Sequence, residues 1–190
     1  MTPNPVAEHL AALQDDLAYH QTRVLLLVAA VSSNKGHARK LDGLTKLAKL
    51  DFLTRYPGLA SVVLPNLTNE SARMHLTEAE SLNPTDVEDP MIRYKYGPWD
   101  DRYYPIIGSL VGRSLVKYVR GRQGSVALTL TPTGKSLAAE VAALPQWSTV
   151  HARCEAIAEA SAGLTGNALK EQIYRKLADL MNRPHRELIK

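Results

Sequence analysis

The chain has 190 residues and a formal net charge of +4, with 45% hydrophobic and 22% charged residues. This length allows one domain or two small ones with a real hydrophobic core, and the ordinary composition excludes wholesale disorder. The single cysteine, Cys154, excludes a disulfide framework and a cysteine-rich zinc site. The longest apolar run, residues 24–31, is too short to span a bilayer, and the acidic N-terminus does not resemble a signal peptide. We therefore expect a soluble, cytoplasmic protein without membrane contact.

The charges are distributed in blocks along the chain. Residues 34–55 and 91–124 sum to about +4 and about +5, whereas residues 66–90 sum to about −5. This asymmetry indicates an anionic partner or two partners of opposite sign. A solvated surface with clustered charges explains it equally well, and both interpretations stay open.

The first element is a helix over residues 7–33, with leucines and valines on one stripe. Its run 24–31 is apolar on nearly all sides, which indicates burial by neighbouring elements or by a second copy of the chain. The sequence thus leaves a homodimer open.

A second helix is predicted over residues 41–58, where Pro57 stops it. Leucines and Phe52 form its inward face, and Lys46 and Lys49 share another side. Lys46 and Lys49 could extend a basic surface. Asp51 falls on the leucine side, where a carboxylate pairs with an arginine or caps a loop more often than it catalyses.

Residues 59–90 have the least regular pattern. Residues 60–64 fit a short strand or a helical turn, and residues 67–82 fit a weak helix capped by Thr68 or Asn69. An acidic, proline-bounded loop follows over 83–90. We interpret the whole stretch as an insertion between the two halves of the winged helix, and insertions of this kind often carry partner specificity.

Residues 91–134 form the organising stretch of the chain. After an aromatic-rich turn, Asp100 is a good N-cap for a helix that either kinks at Pro105 or begins there. The apolar period then changes to two on both sides of residues 121–124, which have a glycine at each end, and this predicts a hairpin. Thr131 and Pro132 begin the next helix. Helix, hairpin and helix in this order predict the second half of a winged helix-turn-helix.

The remaining chain reads as helices over residues 132–144, 149–162 and 167–181. The predicted fold class is mainly α with a small β-hairpin: a winged helix-turn-helix with an added C-terminal helical region. We expect an N-terminal helical segment at 1–40, a winged-helix domain at 41–144 with an acidic insertion at about 59–90, and C-terminal helices at 145–190.

The motifs that would indicate chemistry are absent or incomplete. Gly134-Lys135-Ser136 follows a strand, but a phosphate-binding loop needs a glycine where Thr129 stands. The six histidines fall on six segments, and their spacing does not match that of metal ligands. Cys154 has one histidine nearby, His151, one helical turn earlier. The sequence therefore predicts a protein that is not an enzyme and needs no cofactor or metal.

Binding is better supported than catalysis. Basic residues lie where a wing would meet a phosphate backbone, and their contacts would be poor in sequence information. The helix over 101–113 is apolar and has few side chains suited to base edges, namely Arg102, Ser109 and Arg113. The candidate nucleic-acid-binding residues are Arg113, Lys117, Arg120, Arg122, Arg93 and Lys95.

Aromatic residues are interleaved with these cations. They either pack the wing against the core or form a partner-binding surface. The candidate partner-binding residues are Tyr94, Tyr96, Trp99, Tyr103 and Tyr104.

Three segments carry a resemblance to a known family: LDGLTKLAKLDFLTRYPG, MIRYKYGPWDDRYYPIIGSLVGRSLVKY and SVALTLTPTGKSLA. They resemble the middle-component proteins of bacterial ABC-three-component defence systems over about residues 41–137, half of the chain. The KLDFL–YP helix and the RYKYGPWDDRY run carry most of the likeness. Pro105 departs from the uninterrupted helix that the family pattern implies.

The resemblance implies a non-catalytic winged-helix subunit of an SMC- or Rad50-like ATPase complex in anti-phage or anti-plasmid defence. Such a subunit would bridge the ATPase and a nuclease-like effector and contact double-stranded DNA without sequence specificity. The alternative is a free-standing winged-helix transcription regulator, which would prefer one operator over bulk DNA.

Overall fold

A computed structural model describes residues 5–67, 71–87 and 89–190, with side chains described from Leu17 onward. The chain is mainly helical with small antiparallel sheets, as the sequence predicts. The helices are α1 (Pro5–Ser33), α2 (Leu44–Arg55), α3 (Pro57–Val63), α4 (Glu78–Leu82), α5 (Tyr103–Gly112), α6 (Pro132–Ala142), α7 (Ser148–Ala160), α8 (Gly166–Lys176) and α9 (Ala178–Met181). The strands are β1 (Leu41–Asp42), β2 (Ile92–Tyr94), β3 (Gly97–Trp99), β4 (Val116–Arg120) and β5 (Val126–Leu130).

Helix α1 is the centre of the fold and packs against α5, α6, α7 and β5. In its apolar run, Val24, Leu26, Leu27 and Val28 are fully buried. The run is therefore covered within one chain, and its burial needs no second copy.

One antiparallel sheet has the strand order β1-β5-β4. The predicted hairpin β4–β5 is confirmed, with Tyr118 opposite Leu128. The left-handed backbone of its turn lies at Gln123 and Gly124, with φ of 51° and 81°, and not at Gly121. Strand β1, which the sequence reading included in a helix, pairs with β5 through Leu41.

A second sheet replaces the predicted aromatic turn. Strands β2 and β3 form a short hairpin, and the C-terminal tail runs alongside β2. The Arg186 amide donates to the Arg93 carbonyl at 2.6 Å, and the Ile189 amide donates to the Met91 carbonyl at 2.8 Å. The tail thus closes the edge of the sheet on the β2 side.

Other boundaries need correction. Residues 60–64 belong largely to a helix, α3, as one of the two alternatives predicts. Within residues 71–82, the predicted weak helix is found only as α4, which has a capping box of Thr77 and Glu80. The proposed caps Thr68 and Asn69 lie outside the described residues. Asp100 accepts from the Arg102 amide at 2.9 Å instead of capping α5, which begins at Tyr103.

The hydrophobic core is continuous from Val24 to Ile189 and takes side chains from all three predicted segments. The division at residues 40 and 144 stays a prediction. None of the helices in the described part of the chain combines the length and the apolar character needed to cross a membrane.

Candidate functional site

The predicted basic residues divide into two groups. The first lies at the end of α5 and on the β4–β5 hairpin, and all four of its side chains are exposed: Arg113, Lys117, Arg120 and Arg122. Strand alternation places Lys117 and Arg120 on opposite faces of the hairpin. The turn is fixed by Asp42, whose carboxylate accepts from the Arg122 amide at 3.0 Å and the Ser125 hydroxyl at 3.0 Å.

The second group lies on the β2–β3 hairpin. Arg93 is half-buried: its Nε donates to the Met181 carbonyl at 2.7 Å, and its guanidinium lies over the Tyr174 ring. Lys95 is exposed, with its ammonium 5.3 Å from the centre of the Tyr96 ring. Arg93 is thus largely structural, whereas Lys95 is accessible.

The exposed side of α5 is formed by Tyr104, Pro105, Gly108 and Gly112. These residues offer few donors or acceptors to base edges in a groove. Arg102, a predicted base-reading candidate, instead binds Asp100 and Asp89. This leaves α5 poorly equipped for reading sequence.

The aromatic residues are not equivalent. Tyr94, Tyr96 and Tyr104 are exposed, and Trp99 is half-buried with its ring against Tyr103 and Tyr104. Tyr103 is fully buried and donates to Asp51 Oδ2 at 2.8 Å. The assignment of Tyr103 to a partner-binding surface is therefore corrected, because its side chain belongs to the core.

An apolar groove of about 470 Å³ lies between α5, the start of α2 and the β4–β5 hairpin. Sequence reasoning missed it, although the period of two puts Tyr118, Val126 and Leu128 on one face of the hairpin. Tyr118 and Val126 are 55% and 58% exposed. The residues lining the apolar groove are Gly43, Leu44, Tyr104, Ile107, Tyr118, Val126 and Leu128.

Next to the apolar groove is an aromatic pocket of about 230 Å³. Lys49 lines it and is 1% exposed, and its ammonium donates to the Pro98 carbonyl at 3.2 Å. Burial, with the charges of Lys170 and Arg93, lowers the pKa of Lys49 to about 7. Because Lys46 and Lys49 are both buried, neither extends an exposed basic surface. The residues lining the aromatic pocket are Leu44, Thr45, Lys49, Tyr94, Tyr96, Gly97, Pro98, Trp99 and Tyr104.

Gly97 shapes this pocket. Its φ of +100° favours glycine, and a Cβ there would lie 3.3 Å from Lys49 Cε and 3.5 Å from Tyr174 Cε2. The glycine therefore allows the Lys49 side chain to pass beneath the β2–β3 turn.

A buried ionic network joins α1, α2 and α5. Its central carboxylate, Asp51, is fully buried and accepts from Arg23 Nε at 2.7 Å and Nη2 at 3.0 Å. Burial alone would raise the pKa of Asp51, but the charge and hydrogen bonds of Arg23 hold that pKa below its usual value. Of the two structural roles that the sequence suggests for Asp51, pairing with an arginine is confirmed.

The network continues through Asp89 and Asp100. Asp100 Oδ2 accepts from Arg55 Nη1 at 2.7 Å and from Arg102 Nη2 at 2.8 Å. Asp89 Oδ2 accepts from Arg55 Nη2 at 3.0 Å, and His20 Nε2 lies 2.9 Å from the same oxygen. Within the described residues, three aspartates thus face three arginines, with His20 beside Asp89.

The remaining residues that the sequence offers for chemistry have structural roles. The Cys154 thiol is fully buried, and burial raises its pKa to about 12, which keeps it protonated at neutral pH. The Gly134 amide donates to the Thr131 hydroxyl, and a Cβ at Gly134 would lie 1.8 Å from the Leu115 carbonyl oxygen. Within the described residues, no group of three or more His, Cys, Asp or Glu side chains could hold a metal ion.

Comparisons with models of known families, with curated proteins and with solved structures found no match. Function is therefore inferred from the basic hairpin, the apolar groove, the aromatic pocket and the ionic network.

Proposed function

We propose that this chain is a non-catalytic winged-helix accessory subunit that bridges an SMC- or Rad50-like ATPase and a nuclease-like effector in anti-phage or anti-plasmid defence. It contacts DNA without reading sequence. The observation that carries the proposal is an exposed basic hairpin beside an apolar groove, on a chain whose Asp51 and Cys154 are buried in structural roles.

The order of elements supports a winged helix. In that fold a short strand follows the first helix and pairs with a hairpin that comes after the third helix. Here α1, β1, α2, α5 and the β4–β5 hairpin follow one another in that order, and β1 pairs with β5. Residues 56–102, between α2 and α5, correspond to the predicted insertion together with the β2–β3 sheet.

The state of the hairpin cations supports contact with the phosphate backbone. Within the described ranges, Arg113, Lys117 and Arg120 form no salt bridge to a carboxylate. Unpaired, exposed cations attract phosphates of any sequence. The small residues on the exposed side of α5 add little base recognition.

Purification of the chain from its native host under mild conditions tests the bridging role. We expect an SMC- or Rad50-like ATPase and an effector to be recovered with it, identified by mass spectrometry. Recovery of the chain without an ATPase, at a tag position that leaves the hairpin free, would contradict the proposal.

A DNA titration separates the bridging subunit from a transcription regulator. We expect duplexes of unrelated sequence to bind with similar affinity and a steep salt dependence. A regulator would select one operator from a random pool over bulk DNA by about a thousandfold or more. Such selection would favour the regulator.

A further inference from the structure

We infer that the apolar groove and the aromatic pocket together bind one acidic, hydrophobic segment of a partner protein. Apolar side chains of the segment would fill the apolar groove, and a carboxylate would lie beside Lys49. This inference rests on the proposed bridging function and specifies the chemistry of the docking segment.

The two cavities are adjacent. Leu44 and Tyr104 line both of them, so that a single extended or helical segment can cross from one into the other. Five of the ten large hydrophobic side chains that are exposed in the described residues line these cavities: Tyr94, Tyr96, Tyr104, Tyr118 and Val126. A concentration of exposed apolar side chains on one face is typical of a protein interaction surface.

The charge around the aromatic pocket selects an acidic segment. The ammonium groups of Lys95 and Lys170 lie 5.3 Å and 5.9 Å from the centre of the Tyr96 ring. Lys170 and Arg93 are also close enough to Lys49 to disfavour its charged form. Across the described part of the chain, none of Lys49, Lys95 and Lys170 forms a salt bridge to a carboxylate. A partner carboxylate would supply the missing negative charge.

Lys49 lies at the base of the aromatic pocket and acts through its charge, because its side chain is almost fully buried. An ammonium group has three N–H donors, and the hydrogen-bond acceptor that the described residues offer this one is the Pro98 carbonyl. A buried cation without a countercharge is costly, and a carboxylate placed beside it removes much of that cost. The geometry therefore favours an acidic side chain in the aromatic pocket, where its charge lies close to that of Lys49.

The apolar groove favours protein over nucleic acid as the occupant. Single-stranded DNA could stack bases on the tyrosines and place phosphates near the lysines. The groove, however, is also lined by Leu44, Ile107, Val126 and Leu128. Aliphatic side chains offer bases neither stacking nor hydrogen bonds, whereas they match leucine, isoleucine or phenylalanine of a peptide.

The test is selection of a phage-displayed library of random 12-residue peptides on the full chain. We expect enriched peptides that combine Asp or Glu with large apolar residues. Val126→Asp and Lys49→Met should each weaken binding of the enriched peptides at least tenfold in fluorescence anisotropy. Leu82→Ala, an exposed leucine on α4, and Lys176→Met, an exposed lysine on α8, are matched controls that should leave binding unchanged.

Several results would overturn the inference. These are failure to enrich any peptide that depends on Val126, enrichment of peptides without acidic residues, or unchanged affinity in Lys49→Met. If Lys49→Met does not fold, the double variant Lys95→Met, Lys170→Met replaces it with the same expected loss.

Other occupants give distinct results. Binding of a 20-nucleotide oligothymidine that is tighter than that of the peptides and is lost in Val126→Asp would assign the groove to single-stranded DNA. A concentration-dependent dimer in sedimentation that Val126→Asp abolishes would assign it to a second copy of the chain. Either result would overturn the inference.

Failure of this inference differs from failure of the proposed function. Normal recovery of the ATPase by a Val126→Asp chain would remove the groove as the docking site and leave the bridging role intact. Peptide binding by a chain that recovers no ATPase would do the reverse.

Discussion

Two regions of this molecule are rich in cationic side chains, and they differ in what faces the cations. In the buried ionic network, Arg23, Arg55 and Arg102 bind Asp51, Asp89 and Asp100. On the hairpin and around the aromatic pocket, the described residues supply no such carboxylates to Lys49, Lys117 or Arg120. In the first region the arginines are paired with carboxylates of the same chain. In the second region the cations have no carboxylate partner among the described residues and can bind an external negative charge.

Arg23 and Lys49 show the difference at equal burial. Arg23 is 2% exposed and Lys49 is 1% exposed. The bidentate contact with Asp51 keeps the pKa of Arg23 above its ordinary value despite burial, whereas the pKa of Lys49 falls to about 7. Burial alone therefore does not mark a cation as functional. What matters is whether the chain itself supplies a carboxylate to that cation.

The largest expected effect is on the ionic network. Asp51→Ala leaves the Arg23 guanidinium buried without its countercharge and removes the acceptor of the Tyr103 hydroxyl. Removing one partner of a buried pair costs about 3–5 kcal/mol of stability. Urea unfolding followed by circular dichroism should show this loss in the free energy of unfolding.

Tyr103→Phe is the matched control for that experiment. It removes one hydrogen bond to the same carboxylate and keeps the ring. The free energy of unfolding should therefore fall by no more than about 3 kcal/mol. A loss in Asp51→Ala no greater than that in Tyr103→Phe would show that the Arg23–Asp51 pair adds little stability.

The sequence could predict the kind of partner that Asp51 needs but not which residue supplies it. A carboxylate on a leucine-rich helix face implies an arginine, yet Arg23 lies 28 positions away on another helix. The sequence also gave no reason to bury Lys46 and Lys49, since lysines opposite a leucine face are usually solvated. Their burial comes from tertiary packing, because α8 and β3 lie against α2 at these lysines.

The two hairpins show the same limit. Strands β4 and β5 have five residues each, long enough for an alternating pattern to be visible. Strands β2 and β3 have three residues each and depend on a C-terminal tail that lies far away in sequence. Tyr118 and Val126 line the apolar groove because α5 packs beside the hairpin, which local periodicity does not reveal.

The second-largest effect is expected in acid, which should weaken the ionic network. Hydrogen bonds from Arg102 and Arg55 overcome the effect of burial and depress the pKa of Asp100. A depressed carboxylate pKa stabilises the folded chain above the unfolded-state value of about 3.9, and this stability is lost as the pH falls through the folded-state pKa. We expect the urea midpoint to begin to fall below about pH 5 and to keep falling below pH 3.

Asp100→Asn isolates this contribution. The variant should be less stable than the wild type at pH 7, by about 1.5–3 kcal/mol for lost charged hydrogen bonds. The difference should shrink as the pH falls below about 4, because Asp100 of the unfolded wild type then binds a proton that the folded chain does not. Asp51, Asp89 and Glu80 titrate in both proteins, so their contributions largely cancel from the difference. A difference that stays constant with pH would contradict the depressed pKa of Asp100.

Around the aromatic pocket, removing a cation should stabilise the chain. Because the pKa of Lys49 is about 7 in the folded state and about 10.5 in the unfolded state, the unfolded chain binds more protons between these values. Stability should rise with pH across that window. Lys49→Met has no charge that must be buried or neutralised on folding. It should therefore be more stable than the wild type at pH 7 by more than about 1 kcal/mol.

The pH profile checks this sign. The advantage of Lys49→Met should shrink as the pH rises towards about 10.5, because the unfolded wild type then also loses the proton and folding no longer releases one. Lys46, whose pKa falls to about 8, titrates in both proteins, so its contribution largely cancels from the difference. A variant that is less stable than the wild type at pH 7 would show that the hydrogen bond to Pro98 outweighs the burial of charge.

The smallest effect on stability is expected at the hairpin, where cations are exposed and form no salt bridge within the described residues. Lys117→Ala and Arg120→Ala should each change the free energy of unfolding by no more than about 0.5 kcal/mol. Each should nevertheless reduce the slope of log affinity against log salt for duplex DNA by about 0.9, the value for one phosphate contact. Lys176→Ala on α8 is the matched control and should leave the slope unchanged. An unchanged slope in both hairpin variants, with unaltered stability, would mean that these cations contact neither a carboxylate nor DNA. The lack of carboxylate partners on the hairpin would then not indicate DNA binding.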